Sequence, residues 1–125
     1  MLTTLFQVAL GGAMGASARY LVGLGAVRVM GHGFPWGTLF VNVVGSLAMG
    51  ALIVFLAHKD GARLAPLLVT GVLGGFTTFS AFSLDAVTLY ERGQVGAAGV
   101  YVLVSVGVSI AALMAGMALM RGAMQ

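Results

Sequence analysis

The sequence predicts an all-α membrane protein of four transmembrane helices with a break in the third. Three observations carry that reading. Of the 125 residues, 60% are hydrophobic and 7% charged, against roughly 25% charged in a soluble domain. A hydrocarbon core about 30 Å thick takes about 20 apolar residues per helix, so four spans use nearly the whole chain as a single domain, residues 1–125. Charges gather with Gly or Pro at 28–35, 58–63 and 91–94, and these interruptions separate four apolar stretches.

The spans so delimited are 3–27, 36–57, 64–90 and 95–120. The first lacks the basic n-region of a signal peptide and is too long for a cleaved h-region, so it is expected to be retained. Tyr20, Trp36 and Tyr90 fall at or towards span ends, where amphipathic rings favour the headgroup layer. In the second span Thr38, Asn42 and Ser46 recur every fourth residue and make one polar stripe. A side-chain amide such as Asn42 is costly in lipid unless it has partners or faces water. The third span contains Gly71, Gly74 and Gly75 followed by Phe-Thr-Thr-Phe-Ser at 76–80. Glycine weakens a helix there, and hydroxyl side chains offer its backbone other hydrogen bonds. Broken backbone at membrane depth must be buried in protein, line a wet cavity or meet an ion. An unbroken helix with packing glycines is the alternative. In the fourth span Tyr101, Ser105 and Ser109 form a second polar stripe. Hydroxyls bonded back to their own helix, with Asn42 bridging helices, are the alternative to a pathway.

Phe79 and Phe82 lie three apart and share a face where the chain is helical. Their ring edges carry partial positive charge, so they can contact an anion without a formal charge to trap it; plain packing is the alternative. The net charge of +3 is scattered, which argues against nucleic acid and against a polybasic lipid-binding tail. There is no cysteine, hence no disulfide or thiolate chemistry. His32 and His58 sit in separate loops, and Asp60, Asp85 and Glu91 show no paired arrangement. The glycines at 71–75 lack the ending of a phosphate-binding loop. An enzyme is not expected.

Four spans place Lys59, Arg63 and Arg121 on one side and Arg28 and Arg92 on the other. Three against two is a weak orientation signal. Such a chain can insert both ways, and two opposite copies can pair about an axis in the membrane plane; orientation set by one residue or a partner is the alternative. Small residues four apart, at Gly11 and Gly15, Ser46 and Gly50, Gly71 and Gly75, let helix backbones approach closely.

Three stretches carry a family resemblance: Gly11-Gly-Ala-Met-Gly-Ala-Ser-Ala-Arg-Tyr20, Gly37-Thr-Leu-Phe-Val-Asn-Val-Val-Gly-Ser46 and Gly71-Val-Leu-Gly-Gly-Phe-Thr-Thr-Phe-Ser-Ala-Phe-Ser83. Together they resemble the Fluc, or CrcB-type, fluoride channels over essentially the whole chain. The resemblance implies a multi-pass protein of the cell inner (plasma) membrane that lets cytoplasmic fluoride leave passively. It implies an antiparallel, dual-topology homodimer with two fluoride pathways and one structural sodium ion between subunits. Carried over by position, backbone carbonyls of Gly74 and Thr77 would hold the sodium. Asn42, Phe79, Phe82, Tyr101, Ser105 and Ser109 would line the ion pathway, with Thr38 and Ser80 as neighbours, and Arg19 would sit near a vestibule. Fluoride, membrane lipid and a second copy of the chain are the implied partners. Two positions depart from the family pattern: Ala81 replaces a threonine and Asp85 a glutamate. A small multidrug transporter, the main rival, needs a membrane-embedded acid for proton exchange. None lies in the first span, and Asp85 is towards a span end. A purely structural subunit leaves the polar stripes unexplained.

Overall fold

The computed structural model describes all residues from Met1 to Gln125. All regular structure in the chain is helical, with no strand. Helix α1 runs Leu2–Met30 and α2 Trp36–His58. A short 3-10 turn at Ala62–Leu64 leads into a rod that starts as a π-helix, Pro66–Leu73, and continues as one α-helical turn, Gly74–Phe76. Residues 66–76 are α3. After a break, α4 covers Ser80–Glu91 and α5 covers Val95–Ala123.

The break falls where the glycine and hydroxyl pattern predicts it. Thr77 turns extended, with φ −88° and ψ 160°, and helix resumes at Ser80. The π-helical start of α3 was not expected. There the Gly74 N–H reaches Val69 O, five residues back, as well as Gly71 O, the wider winding that tends to occur near functional sites. Between α4 and α5 the chain reverses at Gly93, φ +82°, a conformation glycine adopts without a Cβ penalty. Gln94 N–H then bonds Leu89 O and Gly93 N–H bonds Tyr90 O, closing the end of α4.

Three rods are long and apolar enough to cross a membrane: Trp36–His58, Ala62–Glu91 and Val95–Ala123. At 29 residues α1 has the length, but Gln7, Ser17, Arg19 and Arg28 make it more polar than the others. The helices pack as two close pairs, α1 along α3 and α2 along α5, with α4 laid against α5. Glycines make both seams. A Cβ at Gly75 would lie 2.8 Å from the Gly12 carbonyl, and Cβ atoms at Gly11 and Gly15 would strike the Leu67 and Val72 carbonyls. In the second seam Gly50 faces the Leu113 carbonyl and Gly116 the Leu47 carbonyl. Such contact lets backbones pack where lipid offers no hydrophobic drive. Ser46 is not part of that seam; it faces a groove described below.

Only 15 of 125 residues are buried. Most large apolar side chains face outward, as they must on a bundle whose surroundings are hydrocarbon or another apolar surface. The small interior includes Phe82, Leu89, Ala98 and Tyr101, where α4 crosses α5.

Candidate ion-binding groove

A groove of about 330 Å³ runs between α2, the break and α5. Its polar lining comes from Asn42 and Ser46 on α2, Thr77 and Thr78 in the break, and Ser105 and Ser109 on α5. Phe79 and Phe82 complete it, with ring centroids 5.5 Å apart and planes tilted by 52°. No charged residue lines the groove. Residues separated by more than sixty positions meet here because α2 packs along α5 and the break turns its backbone towards both.

Asn42 is held in one orientation. Its Nδ2 donates to Thr78 O at 2.9 Å, and Thr78 N–H donates to Asn42 Oδ1 at 2.8 Å. The backbone N–H can only donate and the C=O can only accept, so the amide cannot be flipped. An amide nitrogen carries two hydrogens, and one remains for the groove. Across the groove the hydroxyls of Ser105 and Ser109 are buried with no hydrogen-bond partner; Ser105 is 5% exposed. Unsatisfied buried polar groups are rare and call for a reason. The groove is therefore lined by an Asn amide with one uncommitted N–H, two unpaired hydroxyls and two phenylalanine rings.

The break diverts helix hydrogen bonds. Thr78 N–H, which in a continuous helix would bond the Gly74 carbonyl, goes to Asn42 instead. Ala81 N–H, which would bond the Thr77 carbonyl, goes to Thr78 Oγ1 at 3.1 Å. Arg19 Nε donates to Gly75 O at 3.1 Å. The carbonyls of Gly75 and Thr78 thus have side-chain donors, while those of Gly74 and Thr77 have lost their helical ones. Two oxygens freed from one break suit a hard cation, which prefers oxygen ligands. No group of three or more His, Cys, Asp or Glu side chains that could hold a metal ion is present.

Other residues singled out from the sequence lie elsewhere. Thr38 and Arg19 line a second cavity of about 300 Å³, on the other side of the break. Tyr101 is wholly buried behind Phe82, with ring centroids 5.2 Å apart. Its hydroxyl donates to Asp85 Oδ2 at 3.1 Å. Ser80 stands at the foot of α4, its Oγ 3.4 Å from Thr78 Oγ1. Sequence reasoning missed Thr78, although a threonine three residues before a helical N–H is an N-cap signature.

Residues 6–117 match the family described as "CrcB-like protein, Camphor Resistance (CrcB)". The chain is 68% identical over 122 residues to the fluoride-specific ion channel FluC of Cereibacter sphaeroides, covering 98% of each chain. It is 59% identical over 123 residues to the protein of that name from a Ruegeria species, again covering 98% of each. With Paracoccus denitrificans FluC the identity is 58% over 119 residues, 95% of each. Matched over almost its full length at such identity, the chain belongs to the CrcB family.

Proposed function

We propose that this protein is a fluoride-selective channel that lets cytoplasmic fluoride leave the cell passively. The observation that carries this is the groove's chemistry: the second N–H of the Asn42 amide and the unpaired hydroxyls of Ser105 and Ser109 beside Phe79 and Phe82, with no charged residue. Fluoride is small and strongly hydrated, so a pathway must replace lost water with donors. Neutral donors do so without holding the ion too tightly to leave. The relatives' name, fluoride-specific ion channel, agrees with that chemistry. The protein is an ion channel and not an enzyme. An inside-negative potential favours anion exit by about 2.3 kcal/mol per 100 mV, so no energy coupling is required.

In this reading α1 is the fourth span, in the inner membrane. Two oppositely oriented copies pair and close the open groove of each, giving two pathways, with Tyr101, Thr38 and Ser80 beside the track and Arg19 near its vestibule. The freed carbonyls of Gly74 and Thr77 in both copies would hold one sodium ion. Bound there, the ion would supply positive charge that fixes the two breaks against each other.

A bacterium without a fluoride exporter of its own provides the test. Expression of the chain should restore growth in mildly acidic medium containing fluoride. Unchanged sensitivity, with the protein present in the membrane, would contradict the proposal.

A further inference from the structure

Thr78 occupies a position that the channel reading leaves without a role. It is the one residue that lines both the groove beside Asn42 and the second cavity beside Arg19 and Thr38. All of its backbone polar groups are committed, N–H and C=O alike, to the Asn42 amide. Its Oγ1 accepts the Ala81 N–H at 3.1 Å. With an acceptor site taken and the backbone clamped, the hydroxyl hydrogen is the free part of the residue, and its only near neighbour is Ser80 Oγ at 3.4 Å. No acidic side chain lines either cavity.

From this geometry we infer that Thr78 is the junction of the ion track. An anion passes between the Arg19 cavity and the Asn42 groove across Thr78, and the Thr78 hydroxyl donates to it during that step. The inference rests on the channel reading and deepens it by naming a specificity residue. Discrimination follows from size and charge density. Fluoride, a compact and strong acceptor, gains most from one short, fixed O–H donor. Chloride, larger and of lower charge density, gains less from the same donor. The clamp matters because a donor fixed in advance costs no reorganisation when the ion arrives.

The experiment is fluoride efflux from liposomes per folded dimer, with chloride efflux measured alongside, for the wild type and three variants. Thr78→Ser keeps acceptor and donor and should keep fluoride flux within about twofold. Thr78→Val keeps the shape without the hydroxyl and should lose roughly tenfold or more, the rate equivalent of one hydrogen bond to a charged group. Valine also removes the cap on Ala81, so Ala81→Pro is the control: it removes the capped N–H, in a first helical turn where proline is tolerated, and keeps the Thr78 hydroxyl with no added charge, so flux should stay within about twofold. A loss in the Pro variant as large as in the Val variant would mean that only the cap mattered and would overturn the inference, as would normal flux in the Val variant. A tenfold loss in the Ser variant would overturn it as well. Should the wild type itself pass no fluoride, the channel reading fails and takes this inference with it.

Discussion

Phe79 and Phe82 are alike in type and three residues apart, yet they stand in opposite surroundings: Phe79 is 76% exposed and Phe82 8%. That contrast makes the two rings different tests: Phe79 has its surface free, while Phe82 also packs against Tyr101. Isoleucine keeps bulk but removes the ring quadrupole. Phe79→Ile should leave the fold intact and lower fluoride flux, as read by efflux and thermal melting of one sample. Phe82→Ile should lower both, with a stability cost of about 1–3 kcal/mol from disturbed packing against Tyr101. Normal flux through Phe79→Ile would remove the ring from the pathway. Asn42→Asp sets a carboxylate against the Thr78 carbonyl, where a donor now sits. It should cost about 1–3 kcal/mol of stability and repel the anion besides. The expense of placing the Asn42 amide inside the membrane was legible in the sequence. Its partner was not, because a bond between residues 36 apart depends on the register of two packed rods. Tyr101 shows the same limit: its stripe with Ser105 and Ser109 was visible, but its bond to Asp85 needed the crossing of α4 and α5.

At the scale of the elements, the break in the third rod was readable from Gly74, Gly75, Thr77 and Thr78, since each weakens or competes with helical bonding. The π-helical winding at Pro66–Leu73 left no comparable sign, because a change in hydrogen-bond period does not require a change in residue type. Small-residue spacing marked Gly11, Gly15, Gly50, Gly71 and Gly75 correctly as close-approach sites; the equally spaced Ala112 and Gly116 were not singled out. A Cβ at Gly116 would strike the Leu47 carbonyl, while Gly122 on the same helix has open space around it. Gly116→Ala should therefore sharply reduce the yield of folded protein, and Gly122→Ala should be neutral or slightly stabilising. The freed carbonyls at the break lead to a further expectation. Protein prepared without sodium should lose fluoride flux, and sodium should restore it where a large organic cation does not. Full flux in rigorously sodium-free conditions would remove the ion from the account.

At the scale of the whole molecule, the proposed channel requires a second copy. Few residues are buried, Phe79 protrudes into an open groove, and apolar side chains cover the outside. A second copy is what the account supplies. Because loop charges nearly balance, both orientations are expected. The chain has no cysteine, so one introduced by Ala62→Cys, at an exposed site between α2 and α3, can be labelled from either side of a sealed membrane. Labelling should occur from both sides, and exclusive labelling from one would contradict dual topology. The claim on which everything else depends is that the neutral, donor-lined groove conducts fluoride. Purified protein in liposomes loaded with fluoride or chloride tests it most directly. The account predicts rapid fluoride efflux and chloride efflux no faster than from protein-free liposomes. Equal passage of both ions, or no fluoride efflux from well-folded protein, would contradict it.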